Sequence, residues 1–450
     1  MSLTDPLARS FFDLWHHLDP VGAGRLDPLA PPPTLVDYDP DTLGQHHAAL
    51  RSLLGAAEAL EPDSLDDEID LTILLDALRG LEHQLDQEAP RFADPALWAD
   101  RLAETLTARV GEAEVLEAIP AWASAAAEGL GRPPVFGLAT GLAILEATLG
   151  ELAGERWATA GADRLARARA EIEGLIRALQ AESRPVTDAS QVGIGEAAVD
   201  HRLHFDFQVT PGGGAELRSL AALAESLWAE VEAAGGADLD PSPAGFDGVL
   251  EAWPAHRALV SADAVVQTAR AGALGGGALR VSAGRIDGEV LAARYGPRGA
   301  AGLLLGRASA ASEIRRRFLA PATLEGWALF AEARAAARAS GSARARLLAD
   351  LHRRVVLGAV DLAIHRRQLP PLDAVTRLGD RTRWSEADRL AAVRGILLAP
   401  MDACGSVVLW REWERLAADF EGGADALVER VFATGLAKPV LIRWRHGAAE

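Results

Sequence analysis

Pro321-Ala-Thr-Leu-Glu-Gly-Trp-Ala-Leu-Phe-Ala-Glu332 is the stretch that decides the fold. Proline suits a first helical turn, where the N–H it lacks would have no partner. Behind Pro321, the residues Leu324, Ala328, Leu329 and Ala331 recur at helical spacing and make an apolar stripe. Glu325 and Glu332 stand seven residues apart, so two carboxylates emerge on one side of the same helix. Such groups on a mostly apolar helix call for a cation or a metal, because charges are rarely buried alone.

The rest of the chain agrees with helix. Alanine and leucine are abundant, while the 450 residues hold only 2 Tyr. A net charge of −19 excludes nucleic acid and anionic membrane as partners, since both would repel it. Cys404 stands alone, which rules out an internal disulfide and a cysteine-rich zinc site. Lys438 is the single lysine and lies outside any Gly-x-x-x-x-Gly-Lys loop, so a Walker-type phosphate site is absent. Met1-Ser-Leu-Thr-Asp-Pro6 lacks a basic segment followed by an apolar one, and no apolar run is long enough to span a bilayer. The expected location is the cytoplasm.

Apolar residues at three- and four-residue intervals predict helices over about 41–60, 65–87, 95–109, 112–129 and 163–180. In the second half they predict helices over about 323–340, 343–366, 385–398, 404–420 and 424–434. Between the halves, Pro211-Gly-Gly-Gly214, Gly235-Gly236, Pro241-Ser-Pro243 and Gly275-Gly-Gly277 predict loops, with Leu279-Arg-Val-Ser282 as a short strand. The expected organisation is an N-terminal helical region (1–209), an irregular connection (210–290) and a C-terminal helical region (291–450). Together they would form one continuous all-α domain with little or no sheet.

Glu325-Gly-Trp-Ala-Leu-Phe-Ala-Glu332 resembles the Glu-Gly-Trp-Ala-Leu-Tyr-Ala-Glu block of the bacterial family known as domain of unknown function 885. Its members are similar to helical zinc metallopeptidases of the gluzincin kind. Phe11-Phe-Asp-Leu-Trp15 with Asp19-Pro20, Arg91-Phe-Ala-Asp-Pro95 and Gly195-Glu-Ala-Ala-Val-Asp-His-Arg-Leu203 resemble other family segments, so the likeness runs nearly end to end. The family carries an upstream His-Glu-x-x-Pro-Gly-His-His block and, on the next helix, an Asp-x-Gly-x-His block. The resemblance implies that Glu325 is the carboxylate zinc ligand and that Asp361 and His365 stand at the third block.

A zinc peptidase needs at least two imidazoles and a carboxylate as ligands, an open position for water, and a second carboxylate as base. Counting back from Glu325, the first block falls on Arg294-Tyr-Gly-Pro-Arg-Gly-Ala-Ala301, which holds neither His nor Glu. No histidine lies between His256 and His352, and none of the 11 is followed by Glu. The family tyrosine beyond Pro400 is missing, and Leu427-Val428-Glu429 stands where the family has Phe-His-Asp.

Glu325, Glu332, Asp361 and His365 are what remains of the machinery. One reading makes them buried ion pairs between two helices, with Arg315, Arg353 or Arg354 supplying positive charge. The other makes Glu325, Glu332 and His365 a residual metal site, an oxygen-rich set suited to manganese, iron or magnesium better than zinc. The first is preferred, because one imidazole makes a poor transition-metal site. His201 and His204, with Asp200 and Asp206 nearby, are a further metal candidate, whereas His16-His17 and His46-His47 are adjacent and point apart.

The expected protein is therefore a catalytically degenerate, peptidase-like scaffold that needs no cofactor and binds a peptide or protein partner. Two alternatives stand beside it. One is a metal-dependent hydrolase rebuilt around Glu325, Glu332, Asp361 and His365, with zinc or another divalent metal as cofactor. The other is a non-catalytic subunit that pairs with an active relative through exposed Trp410 and Trp413. Oligomeric state is left open.

Overall fold

The computed structural model describes residues 2–27, 30–36, 40–87, 94–129, 135–181, 192–207, 214–234, 290, 293–294, 298–382 and 384–446. Among these residues the secondary structure is helical throughout, with no strand. The all-α expectation holds.

In chain order the helices are α1 (Asp5–Leu18), α2 (Pro20–Leu26), α3 (Pro40–Glu58), α4 (Leu65–Gln87), α5 (Pro95–Ala108), α6 (Ala113–Gly129), α7 (Val135–Leu152) and α8 (Ala162–Ala181). Then come α9 (Glu196–His201), α10 (Gly214–Ala233), α11 (Ala300–Ala308), α12 (Glu313–Arg317), α13 (Pro321–Arg338), α14 (Gly341–His365) and α15 (Pro371–Thr382). The chain closes with α16 (Glu386–Leu398), α17 (Asp402–Asp419), α18 (Gly423–Thr434) and α19 (Pro439–His446). The start signals act as the sequence implies: Pro95 and Pro321 open their helices, and the Asp94 side chain accepts the Ala96 N–H.

Two compact units divide the chain. The first comprises residues 1–3, 62–73 and 193–450, the second residues 4–61 and 74–192, so the division falls inside α4. Within the stretch expected to be irregular, residues 214–233 form α10, whose Leu220, Ala224, Leu227 and Val231 are buried at helical spacing. The remaining glycine clusters and the Leu279–Ser282 strand reading lie outside the described residues.

The second unit is built on aromatic and aliphatic contacts. Phe11, Phe12 and Trp15 cluster along α1, and Trp98 of α5 meets Trp122 of α6 with ring centroids 5.9 Å apart. α5 and α7 cross closely, because a Cβ on Gly141 would come within 2.8 Å of the Pro95 backbone.

The first unit is organised around α13, α14 and α17. Gly326 lets α13 lie against α17: a Cβ there would meet the Leu409 Cβ at 2.7 Å and the Ser406 carbonyl at 3.0 Å. Trp327 is fully buried, donates its Nε1–H to the Gly299 carbonyl at 3.0 Å and meets Trp413 edge to face at 4.9 Å. Gly326 and Trp327 are thus packing residues. Trp413 is fully buried and Trp410 nearly so. The expectation that they form an exposed contact surface is overturned: both are buried, and the Trp413 indole packs against Trp327 and Phe330 of α13.

Candidate functional site

Glu325 and Glu332 emerge from the buried side of α13, as their spacing requires, with 2 % and 0 % of their surface exposed. What lies between them is a guanidinium. Arg294, fully buried, places Nε 2.5 Å from Glu332 Oε2, NH2 2.5 Å from Asp350 Oδ2 and NH1 3.6 Å from Glu325 Oε1. Its planar fork thereby faces three carboxylates drawn from two helices.

α14 completes the cluster. Arg354 lies 3.7 Å from both Glu325 Oε1 and Asp350 Oδ2, and Arg353 donates to Asp350 Oδ1 at 3.3 Å. Three carboxylates thus meet three guanidiniums, which is how charge survives burial. Burial favours the protonated form of Asp350, but Arg294, Arg354 and Arg353 outweigh it and hold the carboxyl well below its ordinary value. Glu332 goes the other way: burial pushes it up to about 8, opposed by Arg294. Both Glu325 oxygens and Glu332 Oε1 are buried without a hydrogen-bond partner.

Of the arginines expected to balance these groups, Arg353 and Arg354 do so. Arg315 does not; it pairs with Asp66 at 3.0 Å and also with Asp70. Arg294 and Asp350 went unassigned in the sequence. One signal was present: Asp350 stands three and four residues before Arg353 and Arg354 on one helix face.

Asp361 and His365 lie elsewhere on α14. Asp361 is eleven residues beyond Asp350, about 16 Å along the helix. Its two oxygens accept the N–H groups of Met401 at 3.0 Å and Cys404 at 2.9 Å, so it caps the start of α17. Burial pushes it up to about 7, against those two bonds. Met401 adopts a left-handed backbone with φ of 67°, which turns the chain from α16 into α17. His365 donates its Nε2–H to the Ile396 carbonyl at 3.0 Å, with Asp361 Oδ1 at 3.4 Å. A nitrogen holding that proton has no lone pair for a metal.

The sequence candidates therefore separate. Glu325 and Glu332 join Arg294, while Asp361 and His365 fasten α14 to the α16–α17 turn. His201 and His204 both contact the Phe205 ring, at 4.5 and 4.6 Å, and Asp200 accepts from Arg366 at 2.7 Å. Tyr295 lies outside the described residues. Near the start of α13, a cavity of about 30 Å³ is lined in part by Arg307, Arg315, Thr323 and Lys438, which is room for a water or two.

The chain matches no protein-family profile and no curated protein. Solved structures do match. The structure of "a putative lipoprotein of unknown function" from Shewanella oneidensis aligns with a TM-score of 0.62 at 14 % identity, over 97 % of this chain and 98 % of that one. "The putative lipoprotein" from Colwellia psychrerythraea aligns with a TM-score of 0.60 at 12 % identity, over the full length of both. At such identities the likeness is one of fold.

Proposed function

We propose that this chain is a catalytically degenerate, metallopeptidase-like protein, a pseudoenzyme that binds a peptide or protein partner in the cytoplasm. The reading rests on one observation. Arg294, at the sequence position of the resembled first imidazole, puts its guanidinium among Glu325, Glu332 and Asp350. A guanidinium satisfies the carboxylates that a metal would otherwise neutralise, but it offers no open coordination position and activates no water.

The test is metal content and peptidase activity of purified protein, wild type against Glu325→Ala. The expected result is no hydrolysis of a mixed peptide library and no metal that depends on Glu325. One tightly held equivalent that disappears in Glu325→Ala would overturn the proposal.

A further inference from the structure

The second unit carries a different cluster of ligand-bearing side chains. α3 and α4 meet there through charged groups: Arg79 pairs with Glu58 at 3.0 Å, and Arg51 pairs with Glu82 at 3.2 Å and Asp86 at 3.3 Å. His47 lies one turn before Arg51 on α3, and Glu82 lies one turn before Asp86 on α4. One atom from each of His47, Glu82 and Asp86 lies within 4.8 Å of the others, the one set of three or more such ligands among the described residues.

Its geometry is compatible with coordination. His47 Nε2 is buried and sits 3.1 Å from Asp86 Oδ1, yet it makes no hydrogen bond. Two ligand atoms bound to a metal at about 2.1 Å lie roughly 3.0–3.4 Å apart, depending on whether the site is octahedral or tetrahedral. One neutral imidazole and two carboxylates also balance the charge of a divalent ion.

We propose that His47, Glu82 and Asp86 form an oxygen-rich divalent-cation site of the manganese class, completed by water, with Arg51 as its intramolecular competitor. Arg51 is the group a metal would displace. Its side chain is 60 % exposed, and its two ion pairs are of the surface kind that contributes little, so release to solvent costs little. The metal would tie α3 to α4. The site shares no residue with the Arg294 cluster.

The test is calorimetric titration of untagged, chelator-stripped protein with manganese(II) chloride, with the electron paramagnetic resonance signal of free manganese(II) as a second readout. One equivalent is expected. His47→Ala and Asp86→Asn should each weaken it at least tenfold, and Arg51→Met should tighten it several-fold. His46→Ala, on the neighbouring position of α3, and Glu325→Ala should leave it unchanged. Circular dichroism establishes that each variant is folded. Absence of manganese binding, or binding that survives His47→Ala, overturns the site, as does loss in His46→Ala or Glu325→Ala to the same degree.

Discussion

Arg294 and Glu332 form an ion pair with both side chains sealed from solvent, Nε to Oε2 at 2.5 Å. A pair of this kind adds little over a well-packed apolar contact, but removing one partner leaves a buried charge unmatched. Above pH 8, where Glu332 is ionised, Arg294→Met should therefore destabilise the protein by about 3–5 kcal/mol, read from urea unfolding. Adding Glu332→Gln to Arg294→Met should recover part of that loss. If the double variant is no more stable than Arg294→Met, the pairing described here is not what holds the cluster.

The same residue sets a pH dependence. Glu332 titrates at about 8 when folded, against an ordinary 4.5, so the folded state holds the extra proton between those values. Its contribution is fully present below pH 4.5 and is lost as pH rises towards 8. Asp361, raised to about 7, acts in the same direction, while the depressed Asp350 gives stability that is lost only in acid. The urea midpoint of the wild type should fall between about pH 5 and pH 8, and that of Glu332→Gln should fall less. Parallel curves for the two proteins would refute the assignment.

Asp361 serves two backbone donors at once. Asparagine can accept from only one of them, because its NH2 group faces the other donor. Asp361→Asn should cost about 1–3 kcal/mol. Hydrogen exchange should show the loss first at the Met401 and Cys404 amides. Protection unchanged at those amides would mean that the cap is not what orders the start of α17.

Gly326 marks the closest approach of α13 and α17. Gly326→Ala would drive a methyl into Leu409 and the Ser406 carbonyl, costing about 1–3 kcal/mol by overpacking. Gly55→Ala, on α3 with open space around it, is the control and should be neutral or slightly stabilising. Thermal melts of the two variants separate packing strain from helix propensity.

How much of the structure is legible in the sequence depends on the range of the interaction. α4, α5, α6, α8 and α13 were readable because helical spacing and capping residues are local. α10 has the same spacing, yet Pro211-Gly-Gly-Gly214 and Gly235-Gly236 on either side drew its reading towards loop. Short, charged α15 was missed for a related reason: few apolar positions carry its pattern. Glu325 and Glu332 were legible as a pair. Their partner was not, because Arg294 lies 38 residues from Glu332 and 56 from Asp350, and ion pairs between distant elements leave no periodic trace. The absence of histidine between His256 and His352 is visible in the sequence, but the guanidinium set among the carboxylates is not. Trp410 and Trp413 show the converse error, in which a residue type common at interfaces was assigned to one without any evidence of burial.

Residues 62–73 belong to the unit that the C-terminal half builds, and Arg315 reaches back 249 positions to Asp66, Arg445 a further 130. On the ribosome, at roughly 5–20 residues per second, Asp66 therefore waits on the order of 10–50 s before Arg315 is even synthesised. This segment must spend that interval as an unclaimed acidic stretch, open to chaperones and proteases. A nascent chain arrested at residue 300 should accordingly be cleaved within 62–73 while the released protein is not.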